Sequence, residues 1–218
     1  MTPHQYSVDQ IEGRLAFHDV VAGLTVDTQT LDPASIRRLR QMNPNAVILP
    51  YRISEEQEQD VMPPPFAQVS LTYPFFQGIQ NDWYVKDAAG NFTTEDNYAR
   101  LRFMNISPFC PLVSCRTFVS YLLAWLNEKV FPSGVWDGVF LDNFFAEANI
   151  HLSNLNNPAL FNFDWNRNGI RDETPASTND MTRSAAVSML QQFRAANGDQ
   201  QVLVGNAGSF RSGAWRRT

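Results

Sequence analysis

Apolar runs that end on a polar side chain recur along the chain. Residues 139–141 form one such run, which ends at Asp142. An unbroken apolar run of this length is typical of a strand covered on both faces in a parallel sheet. Residues 19–27, 46–51 and 201–206 have a similar pattern. We therefore predict a parallel sheet built from these strands.

Segments with helical spacing of apolar residues separate the predicted strands. Asp32 and Pro33 provide an N-cap and a first helical residue, and residues 43–45 end that helix. Residues 118–129 and 180–196 predict two more helices, the last followed by an Asn-Gly stop. Alternating strands and helices predict an α/β fold. The residues predicted to face inward are Ile36, Leu39 and Met42, then Phe118, Leu122, Leu123 and Leu126, and finally Val187, Leu190 and Phe193.

A long aromatic-rich excursion, residues 53–114, interrupts the alternation. It contains prolines at 63–65 and a predicted turn at 88–91. A structureless loop of this length is unusual, so we expect short strands or helices over one mouth of a barrel. Without the excursion and the loop at 144–178, the chain has room for about four to five strand–helix units of about 30 residues each. We predict one domain over residues 1–218, of the (β/α)8 TIM-barrel type but incomplete, as a fragment or a subunit that needs a partner.

The composition argues against several classes of function. The chain has 17 Lys and Arg against 22 Asp and Glu, a net charge of −5, so no basic surface indicates nucleic acid or anionic lipid. No apolar run approaches the roughly 20 residues of a membrane span. The first residues do not resemble a signal peptide. Secretion or periplasmic export would require a start upstream of Met1, and neither localisation nor oligomeric state is indicated.

The cysteines and histidines do not form a recognisable metal or nucleophile motif. Cys110 and Cys115 could form a local disulfide or remain two unrelated thiols. The chain has three histidines, without the HExxH spacing of a zinc hydrolase. Phosphate-binding glycine loops and the GxSxG motif of serine hydrolases are absent too. We expect no required cofactor.

Asp142 is the leading candidate for chemistry. In parallel α/β barrels, catalytic groups lie at the carboxyl ends of the strands. A family resemblance carried by this and other segments implies glycoside hydrolysis, which uses two carboxylates, about 5 Å apart for retention and about 6.5–9.5 Å apart for inversion. Asp142 would act as the nucleophile or as the charge that stabilises the transition state. The alternative is an Asp that caps the following loop through backbone N–H groups.

Two other acidic residues are candidates for the second carboxylate. Asp27 lies at the end of an earlier predicted strand, and Glu147 follows Asp142 closely. Asp27 could instead cap residues 28–30, and neither role is favoured. Glu147 fits an exposed first helical turn better than a catalytic position.

Polar and aromatic side chains near the strand ends are candidates for sugar binding. Tyr51 and Arg52 end their strand and can hydrogen-bond to sugar hydroxyls, although Arg52 could pair with a structural acid instead. Asn143 and Asn206 carry amides that suit sugar hydroxyls and loop backbones equally well. Trp83 is the best candidate for a stacking platform, although aromatic residues in such a segment more often form a small core under a loop.

The segment from Asp164 to Asp172 has the spacing of a calcium-binding loop. Oxygen ligands fall at positions 1, 3, 5 and 9, with Gly at 6 and a backbone carbonyl at 7. Position 12 is Pro175, so Glu173 or water would replace the usual Glu. An Asx-turn loop without metal explains the pattern equally well. The candidate ligands are Asp164, Asn166, Asn168, Ile170 and Asp172. A structural Ca²⁺ here would stiffen the loop after the catalytic strand.

Several segments together resemble a family of glycoside-hydrolase-like barrels. The most specific are the Asp-Gly-Val-Phe-Leu-Asp-Asn segment at 137–143 and the Asp-x-Asn-x-Asn-Gly loop at 164–169. The set resembles the barrels called hypothetical glycosyl hydrolase family 15 and, more distantly, the endo-α-1,4-polygalactosaminidase-like barrels. The other segments that carry the resemblance are 18–21, 43–51, 83–91, 104–107 and 204–206.

The resemblance implies a (β/α)8 fold and hydrolysis of a glycan, with Asp142 at the acidic position of a central strand. The later strands of the family have no counterpart here, so a second carboxylate is not carried over from it. We therefore expect a glycoside hydrolase that acts on a poly- or oligosaccharide. The alternatives are a non-catalytic carbohydrate-binding barrel and an inactive truncated fragment.

Overall fold

A computed structural model describes residues 13, 15–25, 33–54, 56–58, 72–94, 101–144 and 162–206. Strands and helices alternate along most of this length, as the pattern of apolar residues predicts. The elements are β1 (Val20–Thr25), α1 (Pro33–Met42), β2 (Val47–Ile53), β3 (Glu56–Glu58), α2 (Thr72–Gly78), β4 (Leu101–Phe103), α3 (Phe118–Trp125), β5 (Gly138–Asp142), α4 (Pro175–Asn197) and β6 (Val202–Gly205).

Four strands form one parallel sheet, in the order β1-β2-β5-β6. This is also their order along the chain, so each crossover steps to the neighbouring strand in the same direction. Because parallel crossovers are right-handed, such an order puts the connecting helices on one face of the sheet. The prediction of a mixed α/β fold with a parallel sheet is confirmed.

The main core lies between this sheet and its helices. Val139 and Leu141 of β5 are fully buried there, together with Ile48 of β2. They belong to one apolar cluster with residues of all three longer helices. The buried helix residues of this core are Ile36 and Leu39 in α1, Phe118, Val119, Leu122, Leu123 and Trp125 in α3, and Ala185, Ala186, Met189 and Phe193 in α4.

The opposite face of the sheet is also apolar, but it is less covered. Val20 is 57% exposed, and Val202 and Val204 are each 37% exposed. Phe140, which points to this face, is half-buried. The apolar run predicts that β5 is covered on both faces. Within the part of the chain described, it is fully covered only on the face toward the helices.

Helix ends differ from the predicted ones in two places. The α3 helix passes into a π-helical segment, Leu126–Val130, close to the expected end of that helix. The α4 helix begins at Pro175, five residues before the predicted start at residue 180, because Thr174 forms a capping box with Ser177.

Two predicted inward faces also need correction. Met42, the last residue of α1, is exposed. In α4, Met189 is fully buried and Val187 is only half-buried, whereas Leu190 is half-buried and packs against the core as predicted.

The excursion contains short elements, as expected. Strands β3 and β4 pair in antiparallel fashion, and α2 and a 3₁₀ turn at Asn81–Trp83 lie between them along the chain. A smaller core joins this region to the segment before α4, through Val85, Phe103, Phe163 and Trp165.

The turn at 88–91 is present and is organised by Asp87. The Asp87 carboxylate accepts hydrogen bonds from the backbone N–H groups of Ala89 and Asn91 and from the Asn91 side chain. Partial burial raises the pKa of this carboxyl, but the hydrogen bonds together outweigh that effect and lower it below its usual value. The turn is therefore built around an ionised acid.

The two cysteines are free thiols rather than a disulfide. Cys110 is buried and Cys115 is exposed. Burial raises the pKa of the Cys110 thiol.

Within the residues described, no helix combines the length and the apolar character that crossing a membrane requires.

Candidate active site

Polar side chains from three neighbouring strands meet at one edge of the parallel sheet. Tyr51 lies in β2, Asp142 ends β5, and Asn206 follows β6. Since the strands are parallel, their carboxyl ends lie at the same edge. Three residues singled out from the sequence are thus brought together by the fold.

Asp142 is the centre of this group. The Tyr51 hydroxyl donates a hydrogen bond to Asp142 Oδ2 at 2.8 Å. The Asn206 amide donates to Asp142 Oδ1 at 2.7 Å. Both oxygens of the carboxylate are therefore held by donors on either side, so its plane is fixed relative to the sheet. A carboxylate oxygen can accept more than one hydrogen bond, and each keeps capacity for a ligand.

Tyr51, Phe140 and Asp142 share the less covered face of the sheet. Tyr51 is in register with Phe140, and their ring centroids are 6.2 Å apart. Asp142 is half-buried. The carboxylate is therefore partly desolvated and still open to solvent, as a group that meets a ligand must be.

The turn after Asp142 is held by a residue that sequence reasoning missed. Asn143 has φ of +49°, a left-handed conformation that Asn tolerates better than most residues. Ser54 donates through its backbone N–H to the Asp142 carbonyl oxygen at 2.9 Å. Its hydroxyl lies 3.0 Å from the same oxygen and 3.1 Å from the carbonyl oxygen of Asn143. Its only sequence signal is a polar residue just past the end of β2.

Backbone hydrogen bonds also fix Asn206. Its N–H donates to the Leu141 carbonyl oxygen at 2.8 Å, and its own carbonyl accepts from the N–H of Phe144 at 3.2 Å. The glycine at position 205 allows Phe144 to lie this close to the end of β6, because a Cβ on residue 205 would lie 2.7 Å from a ring carbon of Phe144. The Asn206 amide therefore reaches Asp142 from a rigid position.

Arg52 lies on the other face of the sheet from Asp142. It is in register with Leu141, is 7% exposed, and donates to the side chain of Gln57. Its guanidinium carbon lies 4.4 Å from the ring centroid of Phe75. Such a contact is a cation–π interaction. This placement differs from the predicted role in sugar binding, because alternation along β2 turns Arg52 toward the helices.

Trp83 also lies away from the group at Asp142. Its ring is 2% exposed and packs against Phe118 and Tyr121 in the main core. Its indole N–H donates to the Pro111 carbonyl oxygen at 3.2 Å. The prediction of a stacking platform needs correction, because this ring is part of the core and offers no free face.

The two candidates for a second carboxylate, Asp27 and Glu147, lie outside the described residues. Their proposed roles remain predictions. Asn143, by contrast, is described, and its backbone contributes to the turn that follows Asp142.

The loop from Asp164 to Glu173 is organised by hydrogen bonds of its own. Asp164 accepts from the N–H groups of Asn168 and Gly169, at 3.0 and 2.9 Å. The remaining contacts are Asn168 N–H to Asn166 Oδ1, Ile170 N–H to Asn168 Oδ1, and the Asn168 amide to Asp172 Oδ2. Among the described residues, no three His, Cys, Asp or Glu side chains group as metal ligands. Calcium binding therefore remains a prediction.

Glu173 closes the same loop. Its Oε1 accepts from the N–H groups of Trp165 and Asn166, at 2.8 and 3.2 Å. Its Oε2 is buried without a hydrogen-bond partner. Burial raises the pKa of this carboxyl, more than the backbone hydrogen bonds lower it. The loop contacts the excursion through the Asp164 N–H and the Lys86 carbonyl oxygen, 2.8 Å apart.

The chain was compared with protein families, curated proteins and solved structures. No model of a protein family matches the chain, and no curated protein matches it significantly. The structure of a variant of the glycoside hydrolase domain of PelA from Pseudomonas aeruginosa is similar, with a TM-score of 0.48 and 17% sequence identity. The match covers 90% of this chain and 55% of that chain, so this chain spans about half of that domain. A likeness at this level identifies neither a family nor an activity.

Proposed function

We propose that this chain forms part of a glycoside-hydrolase-like (β/α) barrel that cleaves a glycosidic bond in a poly- or oligosaccharide. The observation that carries the proposal is the meeting of Tyr51, Asp142 and Asn206 at the carboxyl ends of three parallel strands. In α/β barrels, this edge of the sheet is where reactions take place. A phenol, a carboxylate and an amide also match the polar groups that bind sugar hydroxyls.

The order and faces of the sheet support the barrel. Strands in chain order with helices on one face are the arrangement of a (β/α) barrel, and doubly wound sheets reverse their strand order. The partly exposed side chains of Val20, Val202 and Val204 on the other face would then fill the barrel interior. The full (β/α)8 closure is part of the proposal.

In the proposed reaction, Asp142 acts as an ionised carboxylate. The donors on its two oxygens, Tyr51 and Asn206, hold the carboxylate in place. It would attack the anomeric carbon or stabilise the positive charge that develops on the sugar ring. Protonation of the leaving oxygen would fall to a second carboxylate, for which Asp27 and Glu147 are the predicted candidates.

A carbohydrate-binding barrel without catalysis is the second candidate function. It is favoured by the hydrogen bonds of Asp142, which within the described residues come from a phenol and an amide rather than from an acid partner. Such a site can hold sugar hydroxyls without cleaving a bond.

Release of reducing ends from a panel of polysaccharides, including galactosamine-rich ones, distinguishes these functions when binding is measured on the same panel. We expect one polysaccharide to be bound and cleaved by the wild type, and bound but not cleaved by Asp142→Asn. The matched control is Asp199→Asn, since that carboxylate is fully exposed on the turn before β6. Binding without any cleavage by the wild type would favour the binding barrel. Neither binding nor cleavage would contradict both functions.

A further inference from the structure

A second concave site lies on the helix side of the sheet. Its residues belong to α2, to α3 and to the turns that flank α3. It is an open cavity of about 380 Å³. Small-molecule sites begin at about this size. Asp142 faces the other side of the sheet, so this cavity is separate from the candidate active site. The cavity is lined by Pro74, Arg116, Tyr121, Trp125, Glu128 and Lys129.

The floor of the cavity is aromatic and rigid. The Tyr121 ring stacks on Phe75 with centroids 5.2 Å apart, and the Trp125 ring centroid lies 4.8 Å from the same ring. The Tyr121 hydroxyl donates to the Phe75 carbonyl oxygen at 2.8 Å, which fixes the phenol. Trp125 is 6% exposed and Tyr121 is half-buried, so the floor offers a ligand apolar contact through the accessible parts of these two rings.

Two irregular pieces of backbone present the rim. Ser114 and Cys115 have φ of +50° and +63°, a conformation that costs energy for residues other than glycine, and they come just before Arg116. Glu128 and Lys129 belong to the π-helical segment after α3. Strained residues and π-helical turns occur preferentially at functional sites.

The charges of the rim define the ligand further. Two cations, Arg116 and Lys129, accompany one carboxylate, Glu128, in a chain whose net charge is −5. Arg116 and Glu128 lie 3.9 Å apart and are exposed, so their ion pair is weak. Lys129 has no ion-pair partner among the described residues. The rim therefore offers cations to an anionic group and a carboxylate to hydroxyl donors.

We propose that this cavity binds a sugar acid, a pyranose ring that carries a carboxylate. Its ring would lie against the accessible parts of Tyr121 and Trp125, its carboxylate would face Lys129 and Arg116, and its hydroxyls would donate to Glu128. An aromatic carboxylate could pack on the aromatic floor and pair with the two cations, but it has no hydroxyl that could donate a hydrogen bond to Glu128. The proposal does not depend on catalysis at Asp142, and it adds a second carbohydrate site to the chain.

Titration with D-galacturonate, followed by NMR of the tryptophan indole signals, tests the proposal. D-galactose is the neutral control with the same ring, and benzoate is the aromatic acid. We expect galacturonate to bind at least about tenfold more tightly than galactose, because a charge-assisted contact is lost in the neutral sugar. Lys129→Ala should weaken galacturonate binding by about tenfold, whereas Arg37→Ala, which removes an exposed cation from α1, should not change it.

Three results would overturn the proposal. Equal affinity for galactose and galacturonate would remove the role of the rim cations. Tighter binding of benzoate than of galacturonate would identify an aromatic acid as the ligand. Loss of binding in Asp142→Asn, with Lys129→Ala unchanged, would assign the sugar acid to the candidate active site instead. Lys129 is exposed, so its replacement is not expected to disturb folding, and circular dichroism of the variant checks this.

Discussion

The hydroxyl of Tyr51 is the part of the candidate site that one substitution isolates most cleanly. Tyr51→Phe removes the donor to Asp142 Oδ2 and leaves the ring beside Phe140. A hydrogen bond to a charged group contributes roughly 1.5–3 kcal/mol, so we expect cleavage to slow by about 10- to 100-fold. The measurement is kcat on the polysaccharide that the wild type cleaves.

The control for this substitution is Tyr73→Phe. The Tyr73 hydroxyl accepts from Gln77 within α2, on an exposed surface. The substitution Tyr73→Phe should leave kcat unchanged. An unchanged kcat in Tyr51→Phe as well would mean that the contact to Asp142 does not matter for the reaction.

The raised pKa of Glu173 predicts that the stability of the fold depends on pH. Burial raises its pKa in the folded chain above the usual 4.5, so folding favours the protonated form. Its contribution to stability is fully present below the unfolded pKa and is lost as the pH rises through the folded pKa. Glu173→Gln removes this titration and keeps an acceptor for Trp165 and Asn166.

We therefore expect the melting temperature of Glu173→Gln to rise relative to that of the wild type as the pH increases from about 4 to 7. Thermal melts of both proteins across this range provide the test. A difference that does not change with pH would show that burial does not control the protonation of Glu173.

At the scale of elements, the contact between β5 and β6 depends on Gly138. A Cβ at this position would lie 1.8 Å from the Val202 carbonyl oxygen. Because that oxygen belongs to the backbone, Gly138→Ala must separate the two strands that carry Asp142 and Asn206. We expect a loss of about 3 kcal/mol in the free energy of unfolding, at the upper end of overpacking costs.

Gly90→Ala is the matched control, because a Cβ there meets nothing within 4 Å and only the φ of +87° is unfavourable. Its expected cost is about 1–2 kcal/mol. Denaturant unfolding of both variants measures the difference. Equal losses would show that the tight contact at Gly138 does not constrain the strand pair.

The loop from Asp164 to Asp172 carries the calcium prediction. Its oxygens are already engaged by backbone N–H groups, but the buried Oε2 of Glu173 has no partner, and a cation would supply one. We expect Ca²⁺ to raise the melting temperature of the wild type over that in a chelator, and Asp164→Asn to abolish the rise. An identical melting temperature with Ca²⁺ and with chelator would favour the metal-free Asx-turn loop.

At the scale of the whole molecule, the strands were predictable because their apolar runs and polar ends are local signals. Asp142 and Asn206 follow such runs directly, and parallel pairing then brings them together. Arg52 was misassigned because the run around β2 is apolar on both faces, which hides the face to which each residue points. The burial of Trp83 depends on contacts with α3, more than 30 residues away along the chain, which no local pattern encodes.

The order of the sheet is the other property that sequence pattern alone could not supply. Alternating strands and helices are compatible with barrels and with doubly wound sheets, and the observed order β1-β2-β5-β6 is what supports the proposed barrel. Ser54 was missed for a related reason. Its importance comes from the partners that the paired strands bring to it, Asp142 and Asn143.

The most direct test of this account is the ratio of kcat between the wild type and Asp142→Asn on a cleaved polysaccharide, with Asp199→Asn measured alongside. The substitution keeps the shape of the side chain and removes the charge that Tyr51 and Asn206 hold. We expect kcat to fall by about 1,000-fold or more in Asp142→Asn, comparable to the loss of a main electrostatic contributor, and to stay unchanged in Asp199→Asn. Equal kcat values in the wild type and Asp142→Asn would contradict a catalytic role for Asp142.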